Sequence, residues 1–280
     1  MYIRAKKNDS REFARNVRLN VLKMTNKGQS SHIGSCFSVC DILAVLYSKV
    51  MHVDPENPAA HGRDRFILSK GHAGAAVYAS LAERGFFETA MLMQHYRDGS
   101  WMSGHVSHKG IPGVELSTGS LGHGLSVGAG MALSGKMNQL EYRVFVVLGD
   151  GECDEGSVWE AALFAPHRRL DNLVAIIDYN KLQGLDTTHE ALELEPFAAK
   201  WRNFGWDVAE VDGHDHEALE GALQQRSDRG KPRCVIAHTV KGKGVSFMEN
   251  QVVWHYRWPR DNEVVLATEE LMRSDVCATP

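Results

Sequence analysis

Along the chain, stretches in which apolar residues recur every three or four positions alternate with short runs in which they are continuous. Phe13, Val17, Val21 and Met24 share one helical face, and their period predicts a helix from Ser10, acting as N-cap, to a stop at Gly28. A second helix is predicted to follow Ser38, where Asp41 three positions on completes a capping-box pattern and Ile42, Val45, Leu46 and Lys49 continue the helix. Four β-branched, apolar runs at 143–148, 173–178, 206–211 and 233–240 read as buried strands. Helical stretches at 125–133, 157–169, 192–204 and 216–225 alternate with them. This order predicts an α/β fold, a parallel β-sheet with helices on both faces. Ligands in such sheets gather at the carboxyl ends of strands, so the loops after Leu148 and Asp178 are the first places to look for chemistry.

Composition narrows the class. The 280 residues carry no internal repeat, low-complexity tract or Pro/Ser-rich linker, which favours one continuous domain over 1–280. Hydrophobic content of 43% with 24% charged residues is that of a globular enzyme, and a formal charge of -4 leaves no footprint for nucleic acid or an acidic membrane surface. No apolar run is expected to span a bilayer, and the polar start at 1–10 is unlike a signal peptide. Five cysteines (Cys36, Cys40, Cys153, Cys234, Cys277) lack CxxC spacing; they read as free thiols of a reducing, cytoplasmic compartment.

The chemistry starts at Gly149-Asp150-Gly151, at the end of a predicted strand. Two glycines allow a sharp turn and close approach to a ligand, and the following helix N-terminus favours an anion. A plain strand-to-helix turn with an Asp cap would look the same. The next strand ends in Asp178-Tyr179-Asn180-Lys181-Leu182, so one crossover brings Asp150 and Asn180 to adjacent loops. A carboxylate, an amide oxygen and a backbone carbonyl suit a hard cation that keeps positions for diphosphate oxygens and water.

Gly149-Asp150-Gly151 with Asn180 thirty positions beyond Asp150 resembles the thiamine diphosphate fingerprint. Further ordered segments resemble the N-terminal part of transketolase. They are Ser31-His32-Ile33-Gly34-Ser35, Ser69-Lys70-Gly71-His72-Ala73, Ser103-Gly104-His105, Ser117-Thr118-Gly119-Ser120-Leu121-Gly122, and Lys241-Gly242-Lys243-Gly244 leading to Trp254-His255. The resemblance implies a thiamine diphosphate-binding fold of the diphosphate-binding type, with Mg²⁺ (or Ca²⁺ or Mn²⁺) held by Asp150, Asn180 and the Leu182 carbonyl. It implies cofactor contacts from His72, Gly119, Ser120, Leu121, Gly149, Gly151, Glu152 and His255, and catalytic roles for His32, His72, His105 and His255. Neutral imidazoles can donate to sugar hydroxyls, and imidazolium can stabilise an alkoxide. These histidines come from distant loops without i, i+4 pairs or cysteines at ligand spacing, which disfavours zinc. Glu155 and Glu160 resemble carboxylates at the family's subunit contact; Glu160 fits a helical surface charge equally. The Lys241–Lys243 run reads on composition as a solvated turn, and in the family as a loop closing over the site, within a C-terminal loop and tail at about 241–280.

Three departures stand out. Ser31-His32-Ile33 replaces the family's Gly-His-Pro, His123 replaces a commoner glutamine, and Tyr256-Arg257-Trp258 replaces a small glycine, which would narrow or recharge the substrate entrance. The resemblance spans only the first of transketolase's three modules. It implies a subunit that transfers a two-carbon ketol unit from a ketose or its phosphate to an aldose, active only with a pyrimidine-binding partner subunit in an α2β2 assembly. Two alternatives are half of a decarboxylating thiamine enzyme, such as a deoxyxylulose phosphate synthase-like or 2-oxo acid dehydrogenase-like one, and a non-catalytic scaffold remnant.

Overall fold

The computed structural model describes residues 9–227 and 230–273; the polar start at 1–8 and Cys277 lie outside them. Helix α1 (Ser10–Gly28) buries Phe13, Val17, Val21 and Met24 as its period requires. Its N-cap, however, is Asp9, not Ser10: the carboxylate accepts from the amides of Arg11 and Glu12, both at 3.1 Å. The helix stops on Gln29 in the left-handed region (φ 50°), with Gly28 its last turn.

Helix α2 (Ile33–Val45) begins five residues before the expected Ser38, and every residue in it is buried. A helix buried all round has no amphipathic period to reveal its start. The supposed capping pair are mid-helix groups with tertiary partners: Ser38 Oγ donates to Asp178 Oδ2 at 2.6 Å, and Asp41 pairs with Arg18. The expectation that no apolar run reaches membrane length also fails by length alone, since the helix runs on through a π-turn and Ile33–Val50 is an 18-residue apolar span. With 89% of that span buried, it is a core helix here.

Five strands, β1 (Arg65–Leu68), β2 (Val144–Gly149), β3 (Leu173–Tyr179), β4 (Asp207–Asp212) and β5 (Arg233–His238), form one all-parallel sheet in the order β1-β2-β3-β5-β4. Four of them match the predicted strands within two residues. Strand β1 escapes the sequence pattern because it is only four residues long.

Helices α3 (Gly74–Arg84), α4 (Gly124–Met137), α5 (Gly156–His167), α6 (Thr188–Ala191), α7 (Phe197–Asn203), α8 (His216–Gln224) and α9 (Asp261–Arg273) complete the fold. The helix expected over 192–204 is shortened to α7, which starts only after Pro196, a residue with no amide to give a helix interior. Side chains alternate across the sheet: Phe145, Val147, Val174 and Ile176 face the core under α1, α2, α3 and α8. Val144, Val146, Leu173 and Ala175 face a second core under α4, α5 and α7. Helices on both faces leave only the strand ends open.

Candidate active site

Gly149 stands opposite Asp178 in the β2–β3 ladder, so Asp150 and Asn180 leave the sheet side by side. Both line a cavity of about 320 Å³ at the carboxyl edge, together with Leu182. The turn between them differs from the expected glycine bend. Neither Gly149 nor Gly151 has positive φ, and the chain enters a four-residue 3-10 turn (Gly151–Asp154) before α5. Gly151 is needed for space instead, because a Cβ there would lie 2.6 Å from Gln183 Cγ.

Asp150 is buried; its carboxylate accepts from the amides of Gly151 at 2.8 Å and Lys181. Burial, with Asp178 close by, pushes its carboxyl up to about 6. Asn180 Oδ1 accepts from the Leu182 amide at 3.1 Å. A carboxylate lacking a full counter-charge, an amide oxygen and the Leu182 carbonyl form an all-oxygen donor set, which fits a hard divalent cation.

The cavity's positive charge comes from two lysines that sequence reasoning does not assign to the cofactor. Lys70 is 1% exposed and ion-paired to the fully buried Asp178, which Ser38 and Thr239 also hold. Lys241, also 1% exposed, donates to the carbonyls of Leu182 at 3.2 Å and Gln183 at 3.1 Å, with His255 Nδ1 at 3.1 Å. Burial and the neighbouring Lys70 lower its ammonium to about 8. The solvated turn expected at 241–243 is thus wrong for its first residue. The signal that could have found both lysines is that each lies beside a glycine at a strand's carboxyl end, where buried cations face ligands.

Four distant segments bring the histidines together. Ring centroids of His72, His105 and His255 lie 5.3, 5.5 and 4.9 Å from that of His32. The His32 amide donates to the His255 carbonyl at 3.0 Å, and His32 takes a left-handed conformation (φ 75°) at the start of α2. His72 sits in the 3-10 turn after β1. His105 is drawn in because the Val106 amide donates to the Gly71 carbonyl at 3.0 Å. Any side chain at Gly71 would strike Thr118, 2.5 Å from a modest Cβ. Burial, aided by the lysines and neighbouring rings, lowers His32 to about 4 and His255 to about 3 and holds His72 well below its ordinary value. His32, His72 and His255 are therefore neutral near pH 7, suited to hydrogen bonding and proton exchange.

Gly119 and Leu121 line the same cavity, whereas Ser120 is exposed and outside the lining. Glu152 reaches the lining, but its carboxylate is committed to protein groups. It accepts from Ser69 Oγ and from the amides of Gly122 at 2.9 Å and Gly149 at 3.0 Å. It ties the 119–122 loop to the β2 turn. Glu155 and Glu160 are exposed at the start of α5 and on it, outside the cavity. Of the Tyr256-Arg257-Trp258 departure, Arg257 does not recharge the entrance: it pairs with Glu263 and stacks 4.2 Å over Trp254. Tyr256 lies beside the site, its ring 5.0 Å from His255 and its hydroxyl over Gly184.

Residues 9–272 match the family model described as "Transketolase, thiamine diphosphate binding domain". The chain belongs to that family. Among relatives, it is 43% identical over 240 residues to the 6-deoxy-6-sulfo-D-fructose transketolase subunit SqwG of Clostridium sp. (strain MSTE9), covering 85% of this chain and 87% of that one. It is 41% identical over 255 residues to one subunit of the apulose-4-phosphate transketolase of Phocaeicola vulgatus, covering 91% and 90%. The solved transketolase of Campylobacter jejuni superposes with a TM-score of 0.88 at 29% identity over 97% of this chain, but only 43% of that one. This transketolase-family chain thus spans about two fifths of the solved transketolases and nearly the whole of the subunit-type relatives.

Proposed function

We propose that this chain is the diphosphate- and metal-binding subunit of a two-chain, cytoplasmic transketolase. In this reading it is one thiamine diphosphate-binding domain, with a C-terminal loop and tail from about residue 241. The observation that carries the reading is the cavity itself. Three oxygen donors, two buried lysines and four imidazoles converge on one strand edge. Asp150, Asn180 and the Leu182 carbonyl hold Mg²⁺, and Lys70, Lys241 and His72 offset the remaining diphosphate charge. Gly119 and Leu121 face the aminopyrimidine side, while Glu152 braces that loop.

Thiamine diphosphate supplies the carbanion chemistry that cleaves and forms carbon–carbon bonds next to a carbonyl. The chain's own groups do the rest. His32, His105 and His255 hold sugar hydroxyls and exchange protons at the carbonyl oxygen, and Tyr256 narrows the entrance. The substrates are a ketose or ketose phosphate and an aldose acceptor.

The relatives of matching length are named as subunits, which supports a separately encoded pyrimidine-binding partner and an α2β2 assembly. Its contact would include Glu155 and the outer face of α5, where Glu160, Leu163 and Phe164 are exposed. The test mixes the purified chain with candidate partners, thiamine diphosphate and Mg²⁺. Ketol transfer is expected only in the mixture and is abolished by Asp150→Asn. Transfer by the chain alone, or CO₂ release from pyruvate in place of ketose cleavage, would overturn the proposal.

A further inference from the structure

Away from the cavity, Arg18, Asp41, His214 and His216 form a buried network joining α1, α2 and the start of α8. Arg18 grips Asp41 through two nitrogens, at 3.0 and 2.6 Å. His216 Nε2 lies 3.1 Å from Asp41 Oδ1, and its Nδ1 lies 2.8 Å from Ser10 Oγ. His214 differs from these neighbours because it faces two ways. Its Nδ1 is 2.6 Å from Asp41 Oδ2, while its Nε2 accepts the Val240 amide at 2.8 Å. An Nε2 that accepts carries no proton, so Nδ1 bears it and donates to the carboxylate. Val240 immediately precedes Lys241. The Lys241 segment has further ties to α2 and to Asn250: the Gly242 amide donates to the Gly34 carbonyl at 3.0 Å, and the Asn250 amide to the Lys241 carbonyl at 2.8 Å.

We propose that His214 is a positioning residue: it fixes the Val240 amide against the Asp41 network and so aims the Lys241 ammonium into the cavity. The consequence for the cofactor rests on the function proposed above, whereas the aiming of Lys241 does not. Removing the imidazole frees the Val240 amide and lets the 239–243 segment open. Glutamine can accept from Val240 and donate to Asp41 as the ring does, so it should restore the arrangement.

The test uses the full chain. In the wild type, the Val240 amide is expected to exchange slowly with deuterium, and trypsin to spare the buried Lys241 while cutting after the exposed Arg273. In His214→Ala, cleavage after Lys241 should be at least about tenfold faster, with the Arg273 cut unchanged. His214→Gln should return it to within about twofold of wild type. Fast exchange at Val240 in the wild type, unchanged cleavage in the alanine variant, or a glutamine variant that behaves like alanine would each overturn the proposal. With partner and Mg²⁺ present, thiamine diphosphate should bind His214→Ala at least about tenfold more weakly and His214→Gln normally. If the wild type binds no cofactor, the functional reading falls, and the cleavage result still decides the role of His214.

Discussion

Two groups of histidines stand at different depths of the same fold, and they contrast in what satisfies them. His214 and His216 are fully engaged by Asp41, Ser10 and the Val240 amide. His72 and His105 have no ring-nitrogen hydrogen bond among the described residues, although both line a cavity. Burial does not separate the groups, since His72 and His214 are both half-buried while His105 is exposed and His216 buried. The distinguishing feature is capacity left open toward a space that a ligand can enter.

The largest expected effect that would break this contrast is at the cavity. In the assembled enzyme, His72→Ala or His105→Ala should lower kcat/KM by about 10²–10⁴-fold. The unfolding free energy should stay within about 1 kcal/mol of wild type, because these rings hydrogen-bond to no protein group among the described residues. A large stability loss with unaltered kinetics would place them with the structural pair.

Next in size is Arg18→Met, which leaves the Asp41 carboxylate buried without its cation. Urea unfolding should report a loss of about 3–5 kcal/mol, while cofactor affinity of the folded protein is retained through His214. A loss below about 1 kcal/mol would mean that the histidines alone satisfy Asp41.

The smallest and sharpest test is pH dependence. His32 and His255 hold pKa values of about 4 and about 3 against an ordinary 6.5, so between those limits the unfolded chain binds more protons than the folded one. Their effect on stability is neutral above pH about 6.5 and declines as pH falls toward 4. Asp41 acts in a different window. Burial raises its carboxyl, but Arg18 and the hydrogen bonds from His214 and His216 outweigh that and hold it well below 3.8. Its contribution is full above pH 3.8 and is lost only below. A His32→Gln/His255→Gln double variant should flatten the stability profile between pH 6.5 and 4, as measured by thermal unfolding. An unchanged slope would assign the acid sensitivity elsewhere.

How much of the fold and the site is legible in sequence follows from where each signal is stored. Strands β2, β3 and β5 are legible because continuous apolar, β-branched runs occur in few other contexts, whereas β4 is a half-buried edge strand with polar residues interspersed. The start of α2 is hidden because a helix apolar on all sides carries no phase, and Ser38 imitates a cap while serving Asp178. Asp150, Asn180 and the histidines are readable as motifs, since glycine spacing and order are local. Lys70 and Lys241 stand in the same motifs, but the glycine beside each is the one local hint that assigns them to the cavity. Their burial depends on Asp178 and on carbonyls of a loop some 60 residues away in sequence. Glu152 is legible only in part: it lines the cavity as its place in the motif implies, while its three protein donors come from residues distant in sequence or from the turn itself.

The strand order carries a consequence for synthesis. In space β5 lies between β3 and β4, yet in the chain it comes last of the three. A nascent chain that has released β4 therefore has no ladder for it, and the apolar edge of β3 stays open until residues 233–238 leave the ribosome. Long-range parallel pairing of this kind makes for slow folding and a window of exposure to aggregation. Since the Asn180 loop and Thr239 both sit on that edge, the cofactor pocket is among the last features to exist. Premature termination before β5 should yield material for the proteostasis machinery to remove, with no partly competent enzyme.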